Sequence, residues 1–279
     1  MNFLLLILIF PVIIFAGNIS ISLNNHNGES SYIVNSANTQ NLKSKLIFPF
    51  HFNSIGLEYE HSFKYFKIAL NSSYLFNSQQ TTGKDYDWQN NNLTVYSTSD
   101  NIVNNYYDLG ITLSKVIADD FILFTKFNYS ILDIQWKNTY QEDYVQNKNK
   151  IILGNTLKFK QKFYQYNFGI KYNHHLFDKI SLEVSPSLIY AQIKTQDIHE
   201  LRNFYTIQNI KAFGYEVDMK LNYFITIKSK VIFSFKYTII KNDDTYMDYY
   251  NELNEKYISY PSSYNFKNTI IGINYKYKF

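Results

Sequence analysis

The sequence predicts an all-β chain closed into a transmembrane antiparallel β-barrel of about ten strands, and three observations carry that prediction. About ten segments alternate apolar or aromatic residues with polar ones at the two-residue period of an extended strand. Tyr and Phe, at 27 and 23 residues, bring the aromatic share to 19%, a composition that suits strands. After the first sixteen residues no apolar run reaches the eighteen or so that a membrane helix requires.

Met1 to Ala16 is an almost unbroken apolar run that ends in a small residue. It reads as the hydrophobic region of a secretory signal and is too short to cross a bilayer comfortably. The chain is therefore divided into a signal over residues 1–17 and one barrel domain over residues 18–279. The expected strands centre on Ile19–Leu23, Ile55–Tyr59, Phe66–Phe76, Tyr107–Leu113, Phe121–Tyr129, Tyr166–Tyr172, Ile180–Tyr190, Phe213–Leu221, Val231–Ile239 and Thr269–Phe279. In the last of these, Ile271, Ile273, Tyr275, Tyr277 and Phe279 share one face, and Gly272, Asn274, Lys276 and Lys278 share the other. A run of about ten residues with apolar groups towards lipid and polar groups towards a lumen is what a barrel strand needs. The aromatic ending is similar to the terminal signal by which bacterial outer-membrane barrels are recognised for insertion.

Short turns are expected near His61–Phe63, Ala118–Asp120, His174–Asp178 and Lys228–Lys230, and longer polar loops near Asn35–Gln40, Gln89–Asn104, Asn138–Lys150, Glu200–Thr206 and Asn242–Ser263. Short periplasmic turns alternating with long outer loops are the pattern of such barrels. A soluble β-sandwich also has alternating strands. Against it, the faces opposite the aromatic ones carry Lys, Glu and Asp, which a lumen can absorb by pairing Glu183, Glu216 and Asp218 with Lys171 and Lys220. The formal charge of +4 is spread thinly and forms no nucleic-acid patch. The absence of Cys excludes a lipoprotein anchor and a disulfide-stapled domain.

Two short polar motifs stand at the outer ends of strands. Asp85 and Asp87 share one strand face about 6 to 7 Å apart and can hold one water between them. Asp197 and His199 have the same spacing. If parity continues unbroken from Lys67, Asn71 and Ser73, and from Ser181, Glu183, Ser185 and Ser187, all four side chains point into the barrel mouth. An Asp beside a His orients the imidazole and stabilises its charged form, making it a general base for water. Two carboxylates across a cleft hold that water, and their repulsion raises the affinity of one of them for its proton. Solvated loop residues and a divalent-cation site are the alternative readings of the same residues.

The segments Asp85-Tyr86-Asp87-Trp88, Asp197-Ile198-His199, Phe159-Lys160-Gln161-Lys162-Phe163 and the ending Tyr264 to Phe279 resemble the omptin family of outer-membrane proteases, in the same order and with similar spacing. The resemblance implies a ten-stranded barrel extending above the outer membrane of a Gram-negative bacterium, with an aspartic-type endopeptidase site facing outside. It implies Asp197 and His199 as the dyad that activates water, Asp85 and Asp87 as the opposing pair, Glu29 as a substrate-binding acid, and Lys162 as a lipopolysaccharide contact. Thr195 stands where the family has a second substrate-binding acid, and Asp133 where it has a second basic lipopolysaccharide contact. The expected partners are a peptide or protein substrate, lipopolysaccharide and outer-membrane lipid, without nucleic acid. The reading calls for a monomer with no metal and no organic cofactor. A non-enzymatic porin or adhesin is the alternative; a lipid-A hydrolase would need an outward Ser and His pair that the sequence does not present.

Overall fold

The computed structural model describes residues 17–36 and 41–279, so the signal segment and most of the Asn35–Gln40 connection lie outside the described residues. Eleven strands form one antiparallel sheet: β1 (Gly17–Ser36), β2 (Leu42–Ser62), β3 (Lys67–Gln79), β4 (Thr81–Gln89), β5 (Asn92–Ala118), β6 (Phe121–Asp143), β7 (Lys148–Phe177), β8 (Ile180–His199), β9 (Phe204–Phe224), β10 (Ser229–Asn251) and β11 (Lys256–Lys278). β1 pairs with both β2 and β11, which closes the ring. β3 and β4 follow one another between β2 and β5 with only Gln80 between them, so they form one wall segment and the barrel has ten.

Hydrophobicity changes faces partway along the strands. In the half that ends at the turns around residues 119–120 and 178–179, the apolar side chains point outward: Ile55 and Leu57 of β2, Phe168 and Ile170 of β7, and Ile271 and Ile273 of β11 are each 42–60% exposed. In the other half the apolar residues point inward. Along β2, Leu46, Phe48, Phe50 and Phe52 are at most 4% exposed, on the face that Ser54, Gly56 and Glu58 continue. Lipid explains the first half, and a packed protein core explains the second. Aromatic residues mark the boundary, with Tyr74, Tyr107, Tyr129 and Tyr164 in one run of cross-strand contacts and Tyr166, Tyr190 and Phe213 in a second.

This inversion corrects the expected loops. Gln89–Asn104, Asn138–Lys150 and Asn242–Ser263 are mostly strand, and the connections at that end shrink to Asn90–Asn91, 144–147, 200–203 and 252–255. Both ends of the barrel therefore carry tight turns. Asn supplies the left-handed backbone conformation there: Asn90 and Asn91 have φ of 52° and 66°, and Asn147, Asn203 and Asn254 are similar. β7, at 30 residues, is about three times as long as a membrane crossing needs, so much of each wall stands clear of the lipid.

The lumen of the lipid-facing half is polar. Lys220 bridges Glu183 at 3.4 Å and Asp218 at 3.3 Å, Lys171 reaches Glu183 at 3.8 Å, and Lys126 reaches Glu216 at 3.9 Å. These groups border a cavity of about 300 Å³. Above it the lumen is filled by Phe48, Phe50, Phe52, Trp136, Phe159, Phe163, Tyr264 and Phe266.

β11 closes the barrel through residues such as Tyr275, which faces Ile21 on one side and Val231 on the other. Deleting Tyr275–Phe279 would open the ring at membrane depth and leave backbone groups unpaired in hydrocarbon, at several kcal/mol each. The truncated chain is expected to be lost from the outer-membrane fraction and to lack the heat-modifiable gel shift of a folded barrel. Normal recovery would contradict the closed ring.

Candidate active site

One wall of the upper cleft is β4. Its parity comes from two irregularities that cancel: Phe76 is an extra residue opposite the Asn53–Ser54 step, and a second residue is gained around Gln80 before β4 resumes pairing with β2. The odd-numbered residues therefore face inward again at Gly83, Asp85 and Asp87. Gly83 is needed for a different reason, since a Cβ there would lie 2.4 Å from the Trp136 ring. Trp136, anchored by its Nε1 donating to Asn101 Oδ1 at 2.7 Å, packs against Gly83, two residues before Asp85 on the same face of β4. Ser44, opposite Asp87 on β2, donates from Oγ to Asp85 Oδ1 at 3.4 Å.

The other wall is the end of β8. Asp197 is 1% exposed, and its Oδ2 accepts a short hydrogen bond from the Tyr32 hydroxyl of β1. The same oxygen lies 3.5 Å from His199 Nε2. Asp197 Oδ1 is buried without a hydrogen-bond partner, an arrangement that asks for a water or a substrate donor. The His199 ring is fixed by stacking on Phe204 of β9, with centroids 4.2 Å apart.

The two walls are close enough for their charges to interact. Burial pushes the Asp85 carboxyl well above the usual carboxylate range; the neighbouring Asp87 and the facing Asp197 push it the same way, while Arg202 and the Ser44 hydrogen bond oppose the rise. Asp87 is also raised, chiefly by burial, against the Ser44 hydrogen bond and the charges of Arg202 and His199. Burial and the nearby Asp197 charge likewise drive the Tyr32 hydroxyl upward, so it acts as a donor and not as an anion. The arrangement supplies an imidazole beside a carboxylate, opposite a carboxyl pair whose hold on protons is strengthened by burial. Among the described residues no group of three or more His, Asp or Glu side chains has the arrangement of a metal site.

Asp85, Asp87, Asp197 and His199 thus lie near enough for their charges to act on one another, but Glu29 does not join them. It lies on the outer face of β1, 3.9 Å from Lys267, because β1 pairs without a bulge at Gly28 and odd residues face out. The expected substrate-binding role of Glu29 is corrected by that register. Thr195 faces inward, buried, and donates to Gln208 Oε1 at 3.3 Å. Lys162 is on the outer face of β7, directly across from Lys194 of β8. Tyr32, Ser44, Arg202, Phe204 and Tyr249 are site residues that the sequence reading passed over. Arg202 left a visible signal as the sole arginine of the chain, three residues after His199.

A closed antiparallel barrel with a polar lumen, a lipid-facing apolar band and a raised upper half is the fold of an outer-membrane β-barrel. No family model matches the sequence, and neither does any curated protein sequence. Among solved structures, the outer membrane protease OmpT from Escherichia coli is similar with a TM-score of 0.84 and 16% identity, over 95% of this chain and 97% of that one. The translocator domain of autotransporter NalP from Neisseria meningitidis gives a TM-score of 0.44 at 11% identity, over 94% of this chain and 88% of that one. The outer membrane protein OprG from Pseudomonas aeruginosa gives 0.40 at 12%, over 94% and 96%. The likeness to OmpT is thus one of fold, over nearly all of the chain.

An acid whose folded-state value lies above its unfolded one binds its proton more tightly when folded, so its ionisation costs stability as pH rises above about 4. Asp85→Asn removes that cost. At pH 7 the variant is expected to unfold at a higher temperature than the parent, by on the order of 2–4 °C for each kcal/mol relieved. At pH 3, where the carboxyl is protonated in both states, the two should unfold together. A variant equal to or less stable than the parent at pH 7 would contradict the raised Asp85 value.

Proposed function

We propose that this protein is an omptin-like endopeptidase of the outer membrane, hydrolysing peptide bonds at the extracellular mouth of the barrel. What supports the proposal is that two pairs, Asp85 with Asp87 on β4 and Asp197 with His199 on β8, point inward from different strands and act electrostatically on one another. The overall likeness to OmpT supports it at the level of fold.

In the proposed reaction a water sits between the pairs. His199 takes one of its protons as the oxygen attacks the peptide carbonyl carbon, and Asp197, held by Tyr32, stabilises the resulting imidazolium. The proton retained by the Asp85 and Asp87 pair is available to donate to the carbonyl oxygen as it gains negative charge. Collapse of the tetrahedral intermediate breaks the C–N bond: His199 passes its proton to the departing amine, and the hydroxyl formed from the carbonyl oxygen returns its proton to the Asp85 and Asp87 pair as the carboxyl product forms. Water is the nucleophile, and no enzyme side chain is acylated.

The porin alternative fits the interior poorly. A channel needs a continuous aqueous lumen. Here Phe48, Phe50, Phe52, Trp136 and Phe159 are each at most 3% exposed across the bore.

Lipopolysaccharide is a proposed partner of the outer surface. Lys162 and Lys194 stand side by side outside the barrel, near the upper aromatic boundary at Tyr164 and Tyr190, where lipid phosphates would lie. A lysine near an anionic surface contributes about 1 kcal/mol. In refolded, lipopolysaccharide-free protein, Lys162→Ala is expected to raise the lipopolysaccharide concentration needed for half-maximal activity about fivefold. An unchanged midpoint would remove Lys162 from that role.

Losing a general base typically costs about 10² to 10⁴ in rate. His199→Ala and Asp85→Ala should each reduce cleavage of a fluorogenic peptide mixture by that order, with the barrel still heat-modifiable on gels. Undiminished cleavage by either folded variant, or complete loss of parent activity on chelation, would overturn the proposed mechanism.

A further inference from the structure

Resting on the peptidase reading above, we infer that the cleft selects substrates carrying an aromatic or aliphatic side chain beside the scissile bond and discriminates against lysine and arginine there. Two features of the cleft carry this: an uncharged floor next to the dyad and an aromatic wall above it.

Thr195 lies two residues before Asp197 on the same inward face of β8, so it is about 6 to 7 Å away along the strand. Apart from Asp197, its neighbours on that face are neutral. Gln208, opposite it on β9, passes the chain of hydrogen bonds on to Ser262 Oγ at 2.8 Å. Gln161, opposite it on β7, accepts from the Tyr264 hydroxyl at 2.8 Å. Gln161 Nε2 is buried there without a partner. Four of these side chains, Gln161, Thr195, Gln208 and Tyr264, are at most 2% exposed. A lysine or arginine side chain entering this floor would meet Asp197 as its one nearby acid, with Oδ2 already held by Tyr32 and His199, and would otherwise be a buried charge among neutral groups, which is unfavourable. The one outlying acid of β1, Glu29, is on the other side of the wall and paired with Lys267. Arg202, which acts on both Asp85 and Asp87, adds a positive charge at the rim that repels a basic side chain.

The wall beside His199 is aromatic. Phe204 stacks on the imidazole and meets Tyr249 at 5.8 Å; Tyr249 in turn meets Tyr260 at 5.5 Å and Tyr257 at 6.3 Å. Tyr249 faces inward because β10 gains one residue between Asn242 and Thr245, which turns its odd positions inward. Phe204, Tyr249 and Tyr260 are half-buried, leaving ring surface at the place where a substrate side chain next to the attacked carbonyl would lie. Rings of this kind favour aromatic and aliphatic partners.

The test is digestion of a peptide library with randomised residues around the cleavage point, using refolded full-length barrel supplied with lipopolysaccharide. Cleavage beside Phe, Tyr, Leu or Met, with Lys and Arg depleted at that position, is the expected result. Tyr249→Ala should lower kcat/KM for the preferred peptides at least about tenfold, mainly through KM, the size expected for loss of a hydrophobic contact in a specificity pocket. Thr195→Asp should admit lysine and arginine. Cleavage by the parent beside Lys or Arg would overturn the inference while leaving the peptidase reading intact. Failure of the folded, heat-modifiable parent to cleave any library member would overturn both.

Discussion

The stacked rings of Phe48 and Phe159, 3.9 Å between centroids, are the contact on which the upper half of the molecule depends. Phe48 comes from β2 and Phe159 from β7, strands on different sides of the ring, so the stack ties the walls together across the bore. Trp136 lies against Phe48 at 4.8 Å, and Tyr32 touches both rings at about 6 Å. An isolated barrel this far above lipid would otherwise be a water-filled cylinder with two wet faces. Filling it with aromatic side chains gives the extended strands a core of their own and a solid floor for the cleft.

The same layer determines the electrostatics above it. Tyr32 is a core residue by its ring and a site residue by its hydroxyl, which reaches Asp197. Trp136 occupies the space that Gly83 leaves open on β4, two residues before Asp85. Carboxyls resting on such a floor lose solvation, and mutual repulsion adds to the loss. The stability given up by raising Asp85 is offset by the aromatic packing below, which gains from the same exclusion of water. In the lipid-facing half the solution differs: charges are placed inside the bore but in neutralising groups such as Lys220 with Glu183 and Asp218.

The lipid-facing half was legible because its apolar residues lie on one side of every strand, and a period of two is visible without knowing which strands pair. Its sign could also be read, since lipid leaves aromatic residues outside and lysines and acids inside. The upper half was illegible as strand because neither cue persists. Apolar residues move to the inner face, Asn and Lys dominate the outer one, and the sequence between residues 89 and 104 reads as polar loop although most of it lies in β5. A face reversal such as Leu46-x-Phe48-x-Phe50-x-Phe52 followed by Ile55-x-Leu57 is the signal that would have found it. The inward direction of Asp85 and Asp87 follows from two irregularities that cancel, which alternation alone could not supply. Glu29 failed for the complementary reason: motif position suggested a cleft residue, but β1 runs straight through Gly28 and leaves it outside.

The central claim is that the two walls act as one site, with the base on β8 and the water-holding pair on β4 engaged in a single step. Groups that act as a unit are non-additive: once one is gone, removing the other costs little more. A double-mutant cycle on kcat/KM with His199→Ala, Asp85→Ala and their combination measures this directly, with fold checked by heat-modifiability. The account predicts a double variant about as slow as either single one. Costs that multiply, each substitution reducing the rate by the same factor whether or not the other is present, would contradict it.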